Sequence, residues 1–186
     1  MRDIIESFKI VGRKNLANYL IVHNERDLEK LDFPYFIKIS SGEHKTEARG
    51  VLKCRNLQEA KKNFQILKNN FRKEIMIQEA IEGIEMIIGL KEDRVFGKLL
   101  MIGFGGTFVE VTKDVSFRAL PLEKNEIREM VEELKFYPIL FKRKKYAIDK
   151  FIKLAFEVSK LKISEMDLNP VIINEKGAFI VDARIN

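Results

Sequence analysis

Short alternations of apolar and polar residues predict a series of β-strands along most of the chain. Residues 35–40 are rich in aromatic and β-branched side chains, and Lys38 alternates with Ile37 and Ile39, so it should point to the opposite face. Brief polar or glycine-containing connections favour a mostly antiparallel meander from residue 75 onward. The other predicted strands are 51–54, 75–79, 84–91, 98–104 and 107–112, an extension at 115–119, and two closing runs at 163–173 and 178–185.

Apolar residues at helical spacing predict three longer helices. Asn56 is a typical N-cap, and the apolar positions from Leu57 to Leu67 recur at steps of three, four and three residues. A second helix opens at 121–123, and a third covers about 145–161. Before residue 33 there are weaker signals for short helices at 4–8, 13–20 and 25–31. The fold class predicted by these elements is α+β, with helices segregated from the sheets.

The composition is that of a folded protein. The chain has 186 residues, of which 46% are hydrophobic, enough for one domain or two small lobes. No apolar run approaches the roughly 20 residues that a membrane span needs, and the amino terminus lacks the apolar centre of a signal peptide. Cys54 is the single cysteine, which excludes an internal disulfide and a cysteine-based zinc cluster. We therefore expect a cytoplasmic protein without membrane association.

The net charge is +6, because the chain has 34 Lys and Arg residues and 28 Asp and Glu residues. Most charges are interleaved in sign, as on a solvated surface, but residues 142–145 form one basic run. This run favours a solvated turn before a helix. The alternative is a patch for phosphate, nucleic acid or an acidic partner.

The closing hairpin holds the most informative polar residues. If Glu175 and Lys176 form a two-residue loop, counting outwards from it places Asn169 opposite Asp182. Side chains that face each other in an antiparallel pair lie about 5 Å apart at Cβ. An amide oxygen and a carboxylate at that spacing suit Mg²⁺, which takes oxygen ligands and needs only one or two protein carboxylates when phosphates complete its shell.

Two alternatives to this metal site remain open at the level of sequence. The same register places Asp167 opposite Arg184, so the hairpin could be an ordinary solvent-facing one with a cross-strand ion pair. A three-residue turn would shift the pairing by one and bring Asn169 opposite Ala183 instead.

Other polar clusters could serve a phosphorylated ligand. Lys38 precedes a polar loop at 40–50 that contains two glycines, and a cation beside free backbone N–H groups suits phosphate. His44 lies in this loop and is either simply exposed or catalytic. The loop spacing does not fit a Walker A sequence.

Three further polar residues could contact a nucleoside. Gln78 and Glu79 end one predicted strand and Glu85 begins the next, so they could read an adenine and a ribose or be ordinary edge-strand residues. The glycines of 103–106 could form a tight turn or let the backbone approach a ligand.

Taken in order, these residues carry a family resemblance over about residues 33–186. The chain resembles the β subunit of ADP-forming acetyl-CoA (acyl-CoA) synthetases, whose fold is ATP-grasp. The matching motifs are the Lys38 strand, His44-Lys-Thr, Gly50-Val, Glu85-x-Ile-Ile-Gly, Phe96-Gly, Gly103-Phe-Gly-Gly-x-Phe-Val-Glu, Lys113-Asp-Val-Ser-Phe-Arg-x-x-Pro, Glu165-x-Asp-x-Asn-Pro and Asp182-Ala-Arg-Ile.

The resemblance implies a nucleotide-binding subunit with a smaller lobe at about 20–77 and a larger lobe at about 78–186. Its reaction would be acyl-CoA + ADP + phosphate ⇌ acid + CoA + ATP, with Mg²⁺ as cofactor and a CoA-binding α subunit as partner in a hetero-oligomer. The resemblance implies neither a nucleic acid partner nor a membrane partner. His44 matches the family's mobile phosphoryl carrier. By the same comparison Lys38 would neutralise nucleotide phosphate, and Asn169 and Asp182 would hold Mg²⁺. Gln78, Glu79 and Glu85 would contact the adenine and the ribose.

The sequence departs from the family pattern at four places. The region before residue 33 is short, which predicts a trimmed first lobe. Arg49 replaces a glycine after the His44 motif, and Lys98 stands where proline is usual. The usual Gly-x-Arg-Gly after Pro138 is replaced by a basic stretch. Two other functions therefore remain as alternatives, a divergent non-catalytic ATP-grasp partner protein and a stand-alone ATP-grasp ligase.

Overall fold

The computed structural model describes residues 2–40, 50–106, 113–141 and 146–186. The chain divides into two compact units, each with its own sheet. The first comprises the residues up to Glu6 together with Ala17–Ile81, and the second comprises Ser7–Leu16 and Glu82–Asn186. The predicted strand at 107–112 and the basic run at 142–145 lie outside the described residues.

Helices and strands alternate along the described chain. The helices are α1 (Ile4–Val11), α2 (Leu57–Asn70), α3 (Lys124–Glu132) and α4 (Ile148–Ser159), with short 3₁₀ turns at Arg13–Asn15, Glu25–Glu29 and Tyr137–Leu140. The strands are β1 (Tyr19–Val22), β2 (Tyr35–Ile39), β3 (Val51–Cys54), β4 (Ile75–Glu79), β5 (Ile84–Asp93), β6 (Gly97–Phe104), β7 (Val115–Ala119), β8 (Glu165–Ile173), β9 (Ala178–Ile180) and β10 (Arg184–Ile185).

The first unit is an antiparallel sheet of order β1-β4-β2-β3 with α2 packed on one face. The Asn56 side chain accepts a hydrogen bond from the Glu59 N–H at 2.9 Å, which confirms the predicted helix cap. One face of β2 joins α2 in the core through Ile37 and Ile39. Lys38 therefore points to the other face, as its alternation predicts, and it is only 6% exposed.

The second unit is an antiparallel sheet of order β10-β8-β5-β6-β7, with β9 also paired to β8. The long hairpin β5–β6 runs from the pair Met86 and Phe104 to the pair Asp93 and Gly97. Helices α3 and α4 pack against each other and each contributes a buried apolar stripe. That stripe consists of Ile127, Met130 and Val131 on α3 and of Phe151, Ile152, Leu154, Ala155 and Val158 on α4.

Three predictions about the elements are wrong. Residues 13–20 do not form a helix, because the chain leaves a 3₁₀ turn at Asn15 and enters β1, which pairs with β4. The 75–79 strand is not part of the meander but lies between β1 and β2 in the first sheet. The closing run 178–185 is not continuous, because Val181–Ala183 interrupt the ladder between β9 and β10.

No helix in the described part of the chain is long and apolar enough to cross a membrane.

Candidate functional site

The closing hairpin has the register that the two-residue loop predicts. Val171 pairs with Ile180 on one side of the interruption, and Asp167 pairs with Arg184 on the other. Because both segments keep the same register, Asn169 and Asp182 occupy corresponding positions in the gap between them. The alternative register, with Asn169 opposite Ala183, is wrong.

The turn of this hairpin explains why the register holds. The Asn174 side-chain oxygen accepts hydrogen bonds from the N–H groups of Lys176 (2.9 Å) and Gly177 (3.2 Å). An Asn side chain that bonds the backbone two and three residues on closes a tight turn. The Asn174 N–H also donates to the Gly177 carbonyl at 3.0 Å, so the loop is limited to the two residues between them.

Two predicted site residues of the second unit meet at the glycine turn after β6. The Gly106 N–H donates to Asn169 Oδ1 at 3.1 Å, and the Gly105 N–H donates to the Glu85 carbonyl at 2.8 Å. A Cβ on Gly106 would lie 1.6 Å from Glu85 Oε2, so only glycine lets this carboxylate lie against the backbone. The glycine run therefore forms a turn, with a positive φ at Gly106, as one of its two interpretations predicts. The other interpretation, an approach of the backbone to a ligand, stays a prediction.

Asp167 is a third oxygen-bearing side chain near these residues, and the sequence predicts it only as an ion-pair partner. Its Oδ1 is buried and has no hydrogen-bond partner among the residues that the structure describes. Burial raises the pKa of this carboxyl above its ordinary value despite the opposing charge of Arg184. The guanidinium of Arg184 instead lies 3.9 Å from Asp182 Oδ2. Asp182 also accepts the Ala183 N–H at 3.0 Å through Oδ1.

The donor set on β8 and its partner segment fits a hard divalent cation. Asn169 offers an amide oxygen with a second lone pair, Asp182 offers a carboxylate, and Asp167 holds an unpartnered buried oxygen two residues from Asn169. The described residues contain no group of three or more His, Cys, Asp or Glu side chains suited to a metal. An amide with one or two carboxylates is nevertheless enough for Mg²⁺ when phosphates and water supply the remaining oxygens.

The predicted residues of the first unit share the middle strands of its sheet. Gln78 on β4 pairs with Phe36 on β2, and it is 2% exposed. The carboxylate of Glu79 accepts a hydrogen bond from Asn18 Nδ2 at 2.8 Å. Asn18 also accepts the Glu79 N–H through its carbonyl at 2.9 Å, so it fixes the end of β4. The sequence gives no signal for Asn18, because its partner lies 61 residues away.

His44, the predicted phosphoryl carrier, lies outside the described residues, as does the Arg49 departure.

The residues of the motif that begins at Lys113 form hydrogen bonds within the second unit. Asp114 is 4% exposed, and its carboxylate accepts the N–H groups of Lys135 (2.9 Å) and Phe136 (3.0 Å) after α3. Its carbonyl accepts the Phe104 N–H at 3.2 Å, one residue before the glycine turn. The Phe136 ring packs edge-on against Phe104. Asp114 therefore ties the end of α3 to the strand that leads into Gly105.

A second part of that motif pairs β7 with α3. The guanidinium of Arg118 binds both carboxylate oxygens of Glu133, at 3.0 and 2.6 Å, and Ser116 donates to the same carboxylate. The hydrogen bond from Arg118 is the main reason that the pKa of Glu133 is below its ordinary value.

The Lys98 departure also has a structural explanation. Lys98 Nζ donates to the Leu161 carbonyl just after α4, and the Lys98 carbonyl accepts the Leu120 N–H at 2.8 Å. A proline at this position would remove the amino group that satisfies a carbonyl at the end of this helix.

A cavity of about 360 Å³ lies beside the start of α4, away from the predicted site residues. Its described lining includes Arg128, Phe141, Tyr146 and Lys150.

Comparison with known proteins identifies the family of this chain. A family model described as an ATP-grasp domain matches residues 21–186. An ADP-forming acetate–CoA ligase II from Archaeoglobus fulgidus is 42% identical over 168 residues, covering 84% of this chain and 25% of that protein. The β subunit of ADP-forming acetate–CoA ligase II from Pyrococcus furiosus is 37% identical over 180 residues, covering 84% of this chain and 76% of that subunit.

This chain is also similar to a solved structure of a dinucleotide-forming acetyl-coenzyme A synthetase 1 from Ca. Korarchaeum cryptofilum, in complex with coenzyme A and Mg-AMPPCP. The match has a TM-score of 0.79 and 34% identity, and it covers 92% of this chain and 84% of that one. The chain thus spans about a quarter of the Archaeoglobus ligase but most of the Pyrococcus β subunit. It belongs to the ATP-grasp family, and its relatives within that family include ADP-forming acetate–CoA ligases and their β subunits.

Proposed function

We propose that this chain is the nucleotide-binding subunit of an NDP-forming acyl-CoA synthetase, and that it transfers a phosphoryl group between a phosphohistidine and ADP. The reaction as a whole is acyl-CoA + ADP + phosphate ⇌ acid + CoA + ATP. The observation that carries the proposal is the hairpin register, since it brings Asn169 and Asp182 to corresponding positions beside the unpartnered oxygen of Asp167.

Asn169 and Asp182 hold Mg²⁺ in this proposal. When bound, the cation neutralises phosphate charge, which is the main help that phosphoryl transfer needs from its surroundings. The Gly106 N–H orients the amide of Asn169, so that its oxygen is fixed before a ligand arrives.

Four predicted residues bind the nucleotide in this proposal. Lys38 is a buried cation and supplies charge to the phosphates. Gln78 and Glu79 lie at the end of β4 and contact the adenine, and Glu85 at the start of β5 contacts the ribose. An anionic nucleotide and a partner surface explain the positive net charge better than nucleic acid does.

His44 is the carrier in this proposal. In the direction of ATP synthesis the P–N bond of a phosphohistidine breaks and a P–O bond forms to the terminal oxygen of ADP. The imidazole nitrogen keeps the electron pair of the broken bond and is then free to be phosphorylated again. The partner is a CoA-binding α subunit, in which the acyl phosphate forms.

The test is ATP formation from ADP, phosphate and acyl-CoA by the chain mixed with its cognate CoA-binding subunit. We expect turnover with both subunits and none with either alone. The variant His44→Ala should lose turnover and the acid-labile phosphoryl label, whereas Lys14→Ala, which removes an exposed ion pair with Glu157, should keep both. Turnover by the chain alone would instead indicate a stand-alone ligase, and no turnover in any mixture would indicate a non-catalytic partner.

A further inference from the structure

A row of polar side chains lies on the face of the first sheet that points away from α2. The pairing of β2 with β4 continues one residue past Ile39, because the Ser40 N–H donates to the Glu74 carbonyl at 2.7 Å. Ser40 therefore keeps the alternation of β2 and shares a face with Lys38. Gln78 lies on the same face, since its register partner on β2 is Phe36, two residues before Lys38.

All three polar residues of the row are buried. Ser40 is 4% exposed, Lys38 is 6% exposed and Gln78 is 2% exposed. Within the described part of the chain, neither the Ser40 hydroxyl oxygen nor the Gln78 amide nitrogen has a hydrogen-bond partner. Buried polar atoms without partners are costly to the folded state, so their presence points to a polar group that binds there.

The order of the row matches the order of groups in a nucleoside diphosphate. From the strand position of Gln78 to that of Ser40 the row spans about 13 Å. A free amide N–H at one end suits the ring nitrogen of a base. A buried ammonium followed by a hydroxyl suits the oxygens of successive phosphates.

We propose that the Ser40 hydroxyl donates a hydrogen bond to the terminal phosphate of ADP, beside Lys38 and at the opposite end of the row from Gln78. The inference rests on the proposed nucleotide-binding function and adds one phosphate ligand to it. Ser40 is then a binding residue placed by the strand itself rather than by the loop that follows it.

Calorimetric titration of the wild-type chain and of Ser40→Ala with MgADP and with adenosine tests this directly. We expect Ser40→Ala to weaken MgADP binding by about tenfold or more, the usual effect of losing a hydrogen bond to a charged group. Adenosine has no phosphate, so its affinity should be the same for both proteins. Ser40→Thr keeps the hydroxyl and should restore most of the MgADP affinity.

The melting temperature without ligand separates binding from a structural role. Removing an unpartnered buried hydroxyl should leave the melting temperature of Ser40→Ala unchanged or raise it. A lower melting temperature, with equal losses for MgADP and adenosine, would mean that the hydroxyl supports the fold, and would overturn the inference. Equal MgADP affinity for wild type and Ser40→Ala would overturn it while leaving the proposed function intact. No MgADP binding by the wild type would overturn both.

Discussion

The backbone N–H of Gly106 donates to Asn169 Oδ1 at 3.1 Å, while the carboxylate of Glu85 lies against the same glycine. Glu85 and Asn169, which are far apart in sequence, thus both contact Gly106, where the lack of a side chain leaves room for them. The glycine turn, rather than the strand alone, fixes the amide that we propose as a Mg²⁺ ligand.

Gly106→Ala should therefore weaken MgADP binding by at least about tenfold. The added Cβ would displace the carboxylate of Glu85, which we propose as a ribose contact, and the positive φ of Gly106 would strain the turn whose N–H holds Asn169. The measurement is calorimetric titration with MgADP.

Gly97→Ala is the matched control for that substitution. Gly97 has a similar positive φ (70°, against 66° for Gly106), but a Cβ there meets no atom within 4 Å. It should cost about 1 kcal/mol of stability and leave MgADP affinity unchanged. If the two variants lose the same affinity, backbone strain and not the contact with Glu85 is responsible.

Asp114→Ala should lower the free energy of unfolding by about 2–3 kcal/mol, measured by urea denaturation. The substitution leaves the part-buried N–H groups of Lys135 and Phe136 without the carboxylate that accepts from both. Lys14→Ala, which removes an exposed ion pair, should change the same quantity by less than about 1 kcal/mol. A loss for Asp114→Ala as small as that of the control would contradict a structural role for this residue.

The protein should lose part of its free energy of unfolding in acid as Asp27 becomes protonated. The Lys30 ammonium, at 2.6 Å, and the N–H groups of His23 and Asn24 lower the pKa of its carboxyl from 3.8 to about 2. Because the folded pKa is below the unfolded one, the stabilisation is complete above about pH 4 and disappears as the pH falls towards 2. The urea midpoint of Asp27→Asn should therefore fall less steeply over this range than that of the wild type.

Lys30→Ala provides a second check on the same carboxylate. It removes the largest cause of the lowered pKa but keeps both backbone hydrogen bonds, so the folded pKa moves closer to the unfolded one. The acid loss should therefore be smaller than in the wild type and should be complete at a higher pH. Identical pH profiles for wild type, Asp27→Asn and Lys30→Ala would show that Asp27 does not contribute to acid stability.

Local signals in the sequence were sufficient for the hairpin and for α2. The turn at Asn174 bonds only its own neighbours, so the register that places Asn169 and Asp182 can be worked out from turn length alone. The cap at Asn56 is equally local. For these elements the nearest residues decide the structure.

Contacts between distant segments decided what the sequence could not predict. Leu16, Ala17 and Leu20 have helical spacing, but pairing with β4, more than 50 residues later, draws Tyr19–Val22 into a strand. The clustering of Glu85, Gly106 and Asn169 depends on the whole second sheet. The burial of Asp167 likewise follows from its position between β5 and β10, not from the residues beside it.

The most direct test of the proposed site is the Mg²⁺ dependence of ADP binding, measured by calorimetry on the wild type, Asn169→Ala, Asp182→Ala and the control Glu175→Ala, an exposed carboxylate in the same hairpin. We predict that Mg²⁺ strengthens ADP binding by the wild type and by Glu175→Ala, and that each of the other two variants loses at least about tenfold of the MgADP affinity together with most of that Mg²⁺ effect. Unchanged MgADP affinity and an unchanged Mg²⁺ effect in both Asn169→Ala and Asp182→Ala would contradict the assignment of the metal site.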